Sequence, residues 1–195
     1  FEQHAIFKQD YFGFVRDDTR RISKEDILYV HTQKDTLTNL PKSTVFAEQF
    51  LEKVQEQHAQ AKQDFLLVFL EIDLRTAGYS VYDIESEAKF HQAILDTVRV
   101  LFADLEVFSI LFGEYILVLP YAREQSGEHL KTEIVQLLNA RIEMDGTMIS
   151  SFNRMGFRDT YTYETQTYDD AQEILKQLLY CRSILKKENQ LHYYS

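Results

Sequence analysis

The chain has 195 residues, enough for one compact domain with a real core and a short appendage. Its 45% apolar residues, 14 Phe and 12 Tyr, against only 6 Gly and 2 Pro, exclude a disordered or low-complexity chain. A net charge of −10 argues against wrapping nucleic acid, the single cysteine Cys181 excludes an internal disulfide and fits a reducing, cytoplasmic setting, and no apolar run approaches the ~18 residues of a membrane span.

The chain begins at Phe1 with neither a Met nor a signal-peptide pattern, as expected of a piece of a longer, even membrane-anchored, protein. Residues 1–15 are aromatic-rich without a clean period, compatible with a strand pair or the tail of a preceding domain. Ser23-Lys24-Glu25-Asp26 has capping-box spacing, so residues 23–33 should form a helix leading into the domain. Residues 35–41 (DTLTNLP) form a turn segment. A helix over 43–61 follows, with Phe46, Phe50, Leu51 and Val54 as its core stripe. Residues 65–73 (FLLVFLEID) read as a buried strand ending in the carboxylate of Asp73, and 74–82 as irregular.

A second helix spans about 84–105, with Phe90, Ile94, Val98, Leu101 and Phe102 inward. Two apolar runs, 107–111 and 115–119, are joined through Phe112, Gly113 and Glu114 and predict a tight β-hairpin in the middle of a covered sheet. A carboxylate at such a tip calls for a cation or an arginine. Two buried strands that deliver acids to one sheet edge are also how a Mg²⁺-nucleotide site is built. Residues 126–140 form a third helix, and Asp145-Gly146 marks a hairpin whose second arm runs on through 149–157. Residues 160–168 (TYTYETQTY) suggest a loop or an edge ribbon. Asp169 and Asp170 begin a helix to about Lys187, and 191–194 suggest a final edge strand. The underlying order is β-α-β-β-α-β, an α/β (α+β) ferredoxin-like palm with a central, mostly antiparallel sheet and flanking helices.

Taken together, several of these residues resemble one family, the GGDEF domain of diguanylate cyclases, which join two GTP into cyclic di-GMP. Residues 35–41 resemble its opening Asp-x-Leu-Thr-Gly/Asn-Leu-Pro turn, and Leu70-Glu71-Ile72-Asp73-Leu74 its first strand, which ends in a metal-binding Asp. Leu111-Phe112-Gly113-Glu114-Tyr115 falls where the Gly-Gly-Asp-Glu-Phe hairpin belongs. Arg154-Met155-Gly156 falls at Ser-Ile-Gly, and 179–189 resemble the closing helix. The resemblance implies two parts: an N-terminal segment with its helix, 1–34, and a GGDEF-like domain, 35–195.

The departures are as informative as the matches. The family's two glycines, which let backbone approach phosphates, are Leu111 and Phe112 here, and the acid that holds Mg²⁺ and serves the 3′-hydroxyl is Gly113. The guanine-reading Asn falls at Val81, its partner Asp at Phe90 or His91, a phosphate-binding Lys at Ser183 or Ile184, and a further acid at Arg75. The inhibitory Arg-x-x-Asp falls on 102–105 (FADL), so neither an inhibitory site nor cyclic di-GMP sensing is expected.

Of the ligand set only Asp73 and Glu114 remain. Asp73 is either a Mg²⁺ ligand or a strand-end carboxylate that caps its loop or pairs with Arg75. Glu114 is either a ligand or an ordinary acid at an exposed tip. Phe112 is read as filling the vacated pocket, in preference to an exposed partner contact. Tyr161, Tyr163 and Tyr168 are a docking patch or, more simply, an alternating edge ribbon. The scattered histidines predict no zinc site, and Cys181 is read as a small core residue. The resemblance thus implies a catalytically inactive GGDEF-like module in a bacterial regulator. It would work through other protein domains or a homodimer partner, with no bound cofactor and no contact with nucleic acid or membrane. The alternative is residual GTP binding or weak diguanylate cyclase activity with Mg²⁺, through Asp73 and Glu114, with Phe112 swung aside.

Overall fold

A tight turn around Asp35 stands near the start of the described residues. In the computed structural model the described residues are 33–58, 63–73, 84–124, 127–139, 142–144, 147–149 and 152–193. The expectations for 1–32 and for 74–83, including Arg75 and Val81, lie outside them. Asp35 Oδ1 accepts hydrogen bonds from the Leu37 and Thr38 amides (3.1 and 2.8 Å) and from the Thr38 hydroxyl (2.7 Å). Asn39 takes a left-handed φ of +57°, which explains a Gly or Asn at that place in the turn. The motif at 35–41 is therefore a self-contained Asx turn, and the Pro41 carbonyl accepts from the Ser109 amide (2.8 Å). Replacing Asp35 by Ala should cost about 1–2 kcal/mol of stability, read by urea denaturation, because two backbone donors lose their acceptor.

The elements that follow are α1 (Phe46–His58, entered by a 3₁₀ turn at Ser43–Val45), β1 (Gln63–Asp73), α2 (Ile84–Leu101), β2 (Glu106–Leu111), β3 (Glu114–Ala122) and α3 (Gly127–Leu138). Then come β4 (Ile142–Met144), β5 (Thr147–Ile149), β6 (Phe152–Thr160) and α4 (Tyr168–Tyr193). The main sheet runs β2-β3-β1-β6 and is antiparallel throughout, which is the ferredoxin-like palm read from the sequence. Among the described residues no helix is long and apolar enough to cross a membrane.

The continuous apolar run of β1 follows from cover on both faces. Leu66, Val68, Leu70 and Ile72 pack with α2 and α3, through Phe90, Ile94, Val98, Leu130 and Ile134. Phe65 and Leu67 pack with α1 and α4, through Phe46, Phe50, Val54, Ile174 and Leu178. Phe50 stacks on Phe46 (5.2 Å) and meets Phe65 edge-on (5.3 Å). α4 begins with a reciprocal capping box: the Thr167 hydroxyl accepts from the Asp170 amide (3.2 Å), and Asp170 Oδ2 accepts from the Thr167 amide (2.8 Å).

Four expectations are corrected. The hairpin is not wholly central: β3 is interior, but β2 lies at the sheet edge, bridged only by Lys42 opposite Ser109. The arm after Asp145-Gly146 does not run on, because β4 and β5 form a separate two-stranded sheet before β6 starts at Phe152. α2 stops at Leu101, where a turn with the Leu105 amide bonded to the Phe102 carbonyl (3.0 Å) feeds Leu105 into the core. Residues 191–193 form no edge strand, because α4 continues to Tyr193. Residues 186–192 (KKENQLH) contain no Gly or Pro to stop it.

Candidate functional site

Antiparallel register brings the expected site residues to one end of the sheet. Leu111 pairs with Glu114, leaving Phe112-Gly113 as a two-residue loop after a bulge between Ser109 and Leu111. Gly113 has a φ of +84°, and its carbonyl accepts from the Ile72 amide (2.8 Å). A Cβ there would lie 3.3 Å from both His91 Cε1 and the Ile72 carbonyl oxygen. Position 113 thus favours glycine twice over, by left-handed backbone and by crowding.

On β3 Glu114 stands opposite Glu71 of β1, and Glu71 stands opposite Arg154 of β6. Two acids directly across a sheet repel each other unless cations are interposed. Here two arginines are. Arg182 of α4 grips Glu114 with both arms of its guanidinium, Nε to Oε2 at 2.6 Å and Nη2 to Oε1 at 3.2 Å. Arg154 reaches Glu71 Oε1 (2.8 Å) through Nη1 and Asp73 Oδ2 (3.6 Å) through Nη2. Glu114 is only 5% exposed, so it is no ordinary solvated tip residue; its register beside β1 draws it under α4. Asp73 pairs with Arg154, which the sequence reading did not consider for it. Among the described residues no three His, Cys, Asp or Glu side chains are placed to hold a metal ion.

The other face of the hairpin is aromatic. The Phe112 ring lies 4.9 Å from the ring of His91, a residue of α2 with no solvent exposure. His91 Nδ1 hydrogen-bonds the Tyr115 hydroxyl (3.0 Å), and Glu87 Oε1 lies 4.0 Å from Nε2. Burial outweighs that distant carboxylate and lowers the His91 pKa from 6.5 to about 4. Burial likewise keeps the Tyr115 phenol protonated well above its usual range. Phe112 is half-buried against His91. Leu111 departs from expectation: it is 55% exposed and fills nothing.

The sequence reading missed Arg182 and His91 as members of this site, and it saw Arg154 only as a motif mismatch. Arg182 lies 68 residues from its partner, beyond the reach of any local pattern. The available signal was the buried tip carboxylate itself, which demanded a cation from elsewhere in the chain.

No protein-family model matches the sequence, and no curated protein matches it. Solved structures do. A diguanylate cyclase/phosphodiesterase from Caldicellulosiruptor saccharolyticus superposes with a TM-score of 0.57 at 18% identity, covering 80% of this chain and 90% of that one. The FimX GGDEF domain from Pseudomonas aeruginosa gives a TM-score of 0.54 at 12% identity, covering 80% and 94%. A sensory box/GGDEF family protein from Caulobacter crescentus gives 0.52 at 17%, covering 76% and 96%. Identities this low speak for architecture alone, and on that ground the chain carries a domain with the GGDEF fold.

Proposed function

We propose that this domain is a catalytically inactive GGDEF-like module that serves cyclic di-GMP signalling as a regulatory or protein-interaction domain. It would act in the cytoplasm of a bacterium, with another protein domain or a second copy as partner. The observation that carries the reading is the arginine clasp on the acids that would otherwise serve a cation. Glu114 is held by Arg182 at 2.6 and 3.2 Å, and Arg154 lies between Glu71 and Asp73. Mg²⁺ needs bare oxygens at about 2.1 Å in octahedral array, so a guanidinium must first be expelled from each carboxylate. Gly113 supplies no ligand, and its left-handed, crowded backbone disfavours an acid in its place. Phe112, packed against His91, puts apolar bulk where phosphates would need bare backbone. The donor set therefore does not suit the cation.

Residual GTP binding through Asp73 and Glu114 is the competing reading, favoured by their shared face at one sheet end. Incubation with GTP and Mg²⁺, with chromatography for cyclic di-GMP and calorimetry for binding, separates the two. The expected result is neither product nor Mg²⁺-dependent heat. Micromolar binding lost in Asp73→Ala would establish the competing reading.

A further inference from the structure

At the opposite end of the sheet from the hairpin, the chain leaves β6 and makes the 3₁₀ turn Thr162–Glu164. Thr160 pairs with Phe65 while Glu71 pairs with Arg154, so the two ends lie six β1 residues apart, about 20 Å. This turn holds the tyrosines read from the sequence as a docking patch or an edge ribbon. It is no ribbon. The rings of Tyr161 and Tyr163 stack on each other, 5.4 Å apart and within 4° of parallel. They are nonetheless 39% and 60% exposed, and Tyr168 close by is 46% exposed.

The turn that carries the stack is firmly held. Buried Asp64 at the start of β1 accepts from the Thr162 amide (3.0 Å) and the Thr162 hydroxyl (3.3 Å), and pairs with Arg123. Arg123 also hydrogen-bonds the Thr162 hydroxyl, so this cation is already engaged. The stack is thus presented on fixed backbone, with little entropy left to lose on contact. Along the chain, the turn and the start of α4 carry one sign of charge, while the Arg123 cation at Thr162 is paired with Asp64. From Tyr161 to Glu173 the chain has Glu164, Asp169, Asp170 and Glu173 and no Lys or Arg. Asp170 is spent on capping α4, whereas Glu164 and Asp169 are exposed.

Exposed π faces on a segment that also carries exposed carboxylates fit one side chain above others. A guanidinium stacks flat on a tyrosine ring while its edge donates to carboxylates, and an ammonium offers only point charge. We infer that the Tyr161–Tyr163 stack with Glu164 and Asp169 is a docking surface for an arginine-bearing basic segment of a partner protein. The inference does not depend on the state of the hairpin site. It supplies an interaction module with a surface and a partner chemistry.

The test uses the whole chain and two fluorescently labelled peptides, one arginine-rich and one with every Arg replaced by Lys, followed by anisotropy. At moderate salt the arginine peptide should bind roughly three- to tenfold tighter than its lysine counterpart. Tyr163→Ala should erase that preference while leaving weak, salt-sensitive binding of both peptides, and its exposure makes misfolding no explanation. Glu164→Gln combined with Asp169→Asn should weaken both. Equal binding of the two peptides, no binding of either, or an unchanged preference in Tyr163→Ala would overturn the inference.

Discussion

Arg182→Ala should destabilise the domain by about 3–5 kcal/mol, the cost of stripping one partner from a buried ion pair. The size follows from what stays behind. Glu114 is nearly inaccessible, and directly across the sheet it meets Glu71, with Arg154 the nearest remaining cation. Without that guanidinium, the buried Glu114 carboxylate loses both of its charge-assisted hydrogen bonds to α4. The pair itself contributes far less than its rupture costs, since both charges are desolvated when it forms. Glu114→Leu with Arg182→Met should therefore return to within about 1 kcal/mol of the parent. Urea denaturation of these three proteins at neutral pH supplies the numbers. A loss below about 1 kcal/mol in Arg182→Ala would mean that α4 does not close over the hairpin as described.

Acid should weaken the fold through His91 by up to about 3 kcal/mol, the linkage equivalent of its pKa falling from 6.5 to about 4. The sign is fixed by which state binds the proton. Between those two values the unfolded chain is protonated at this imidazole and the folded chain is not. Stability from this residue is complete above about pH 6.5 and is lost as the pH falls towards 4. Burial holds the imidazole in its neutral form, with the Phe112 ring tilted against it and the Tyr115 hydroxyl at Nδ1. His91→Gln, which keeps a hydrogen-bonding group for Tyr115 and cannot titrate, should flatten the pH dependence in that window. Every other ionisable group is common to both proteins, so the difference between the two curves isolates His91. Parallel curves would contradict the neutral buried assignment.

What could be read in advance follows the range of the interactions. The turn at 35–41 was legible because the hydrogen bonds of Asp35 close within three residues. The hairpin and β1 were legible from apolar run length, and the palm from element order. The sequence also told that a carboxylate at the tip required a cation. It did not tell which one, because Arg182 arrives from a helix 68 residues downstream. His91 was hidden for the same reason: nothing local distinguishes a histidine under a hairpin from one facing water. The tyrosines at 161 and 163 alternate as a ribbon would. Their stacking in a 3₁₀ turn depends on Asp64, far away on β1, holding Thr162. At the C-terminus the β-favouring Tyr193 was outvoted by the helix already propagating through 186–192.

The central claim is that guanidinium groups stand where a nucleotide's cation would have to bind. A crystal structure of the protein soaked with Mg²⁺ and a non-hydrolysable GTP analogue addresses it directly. The expected density has Arg182 on Glu114 and Arg154 between Glu71 and Asp73, with no ordered phosphate beside Phe112-Gly113. An ion bridging Asp73 and Glu114 beneath an ordered triphosphate, with either arginine turned away, would contradict it.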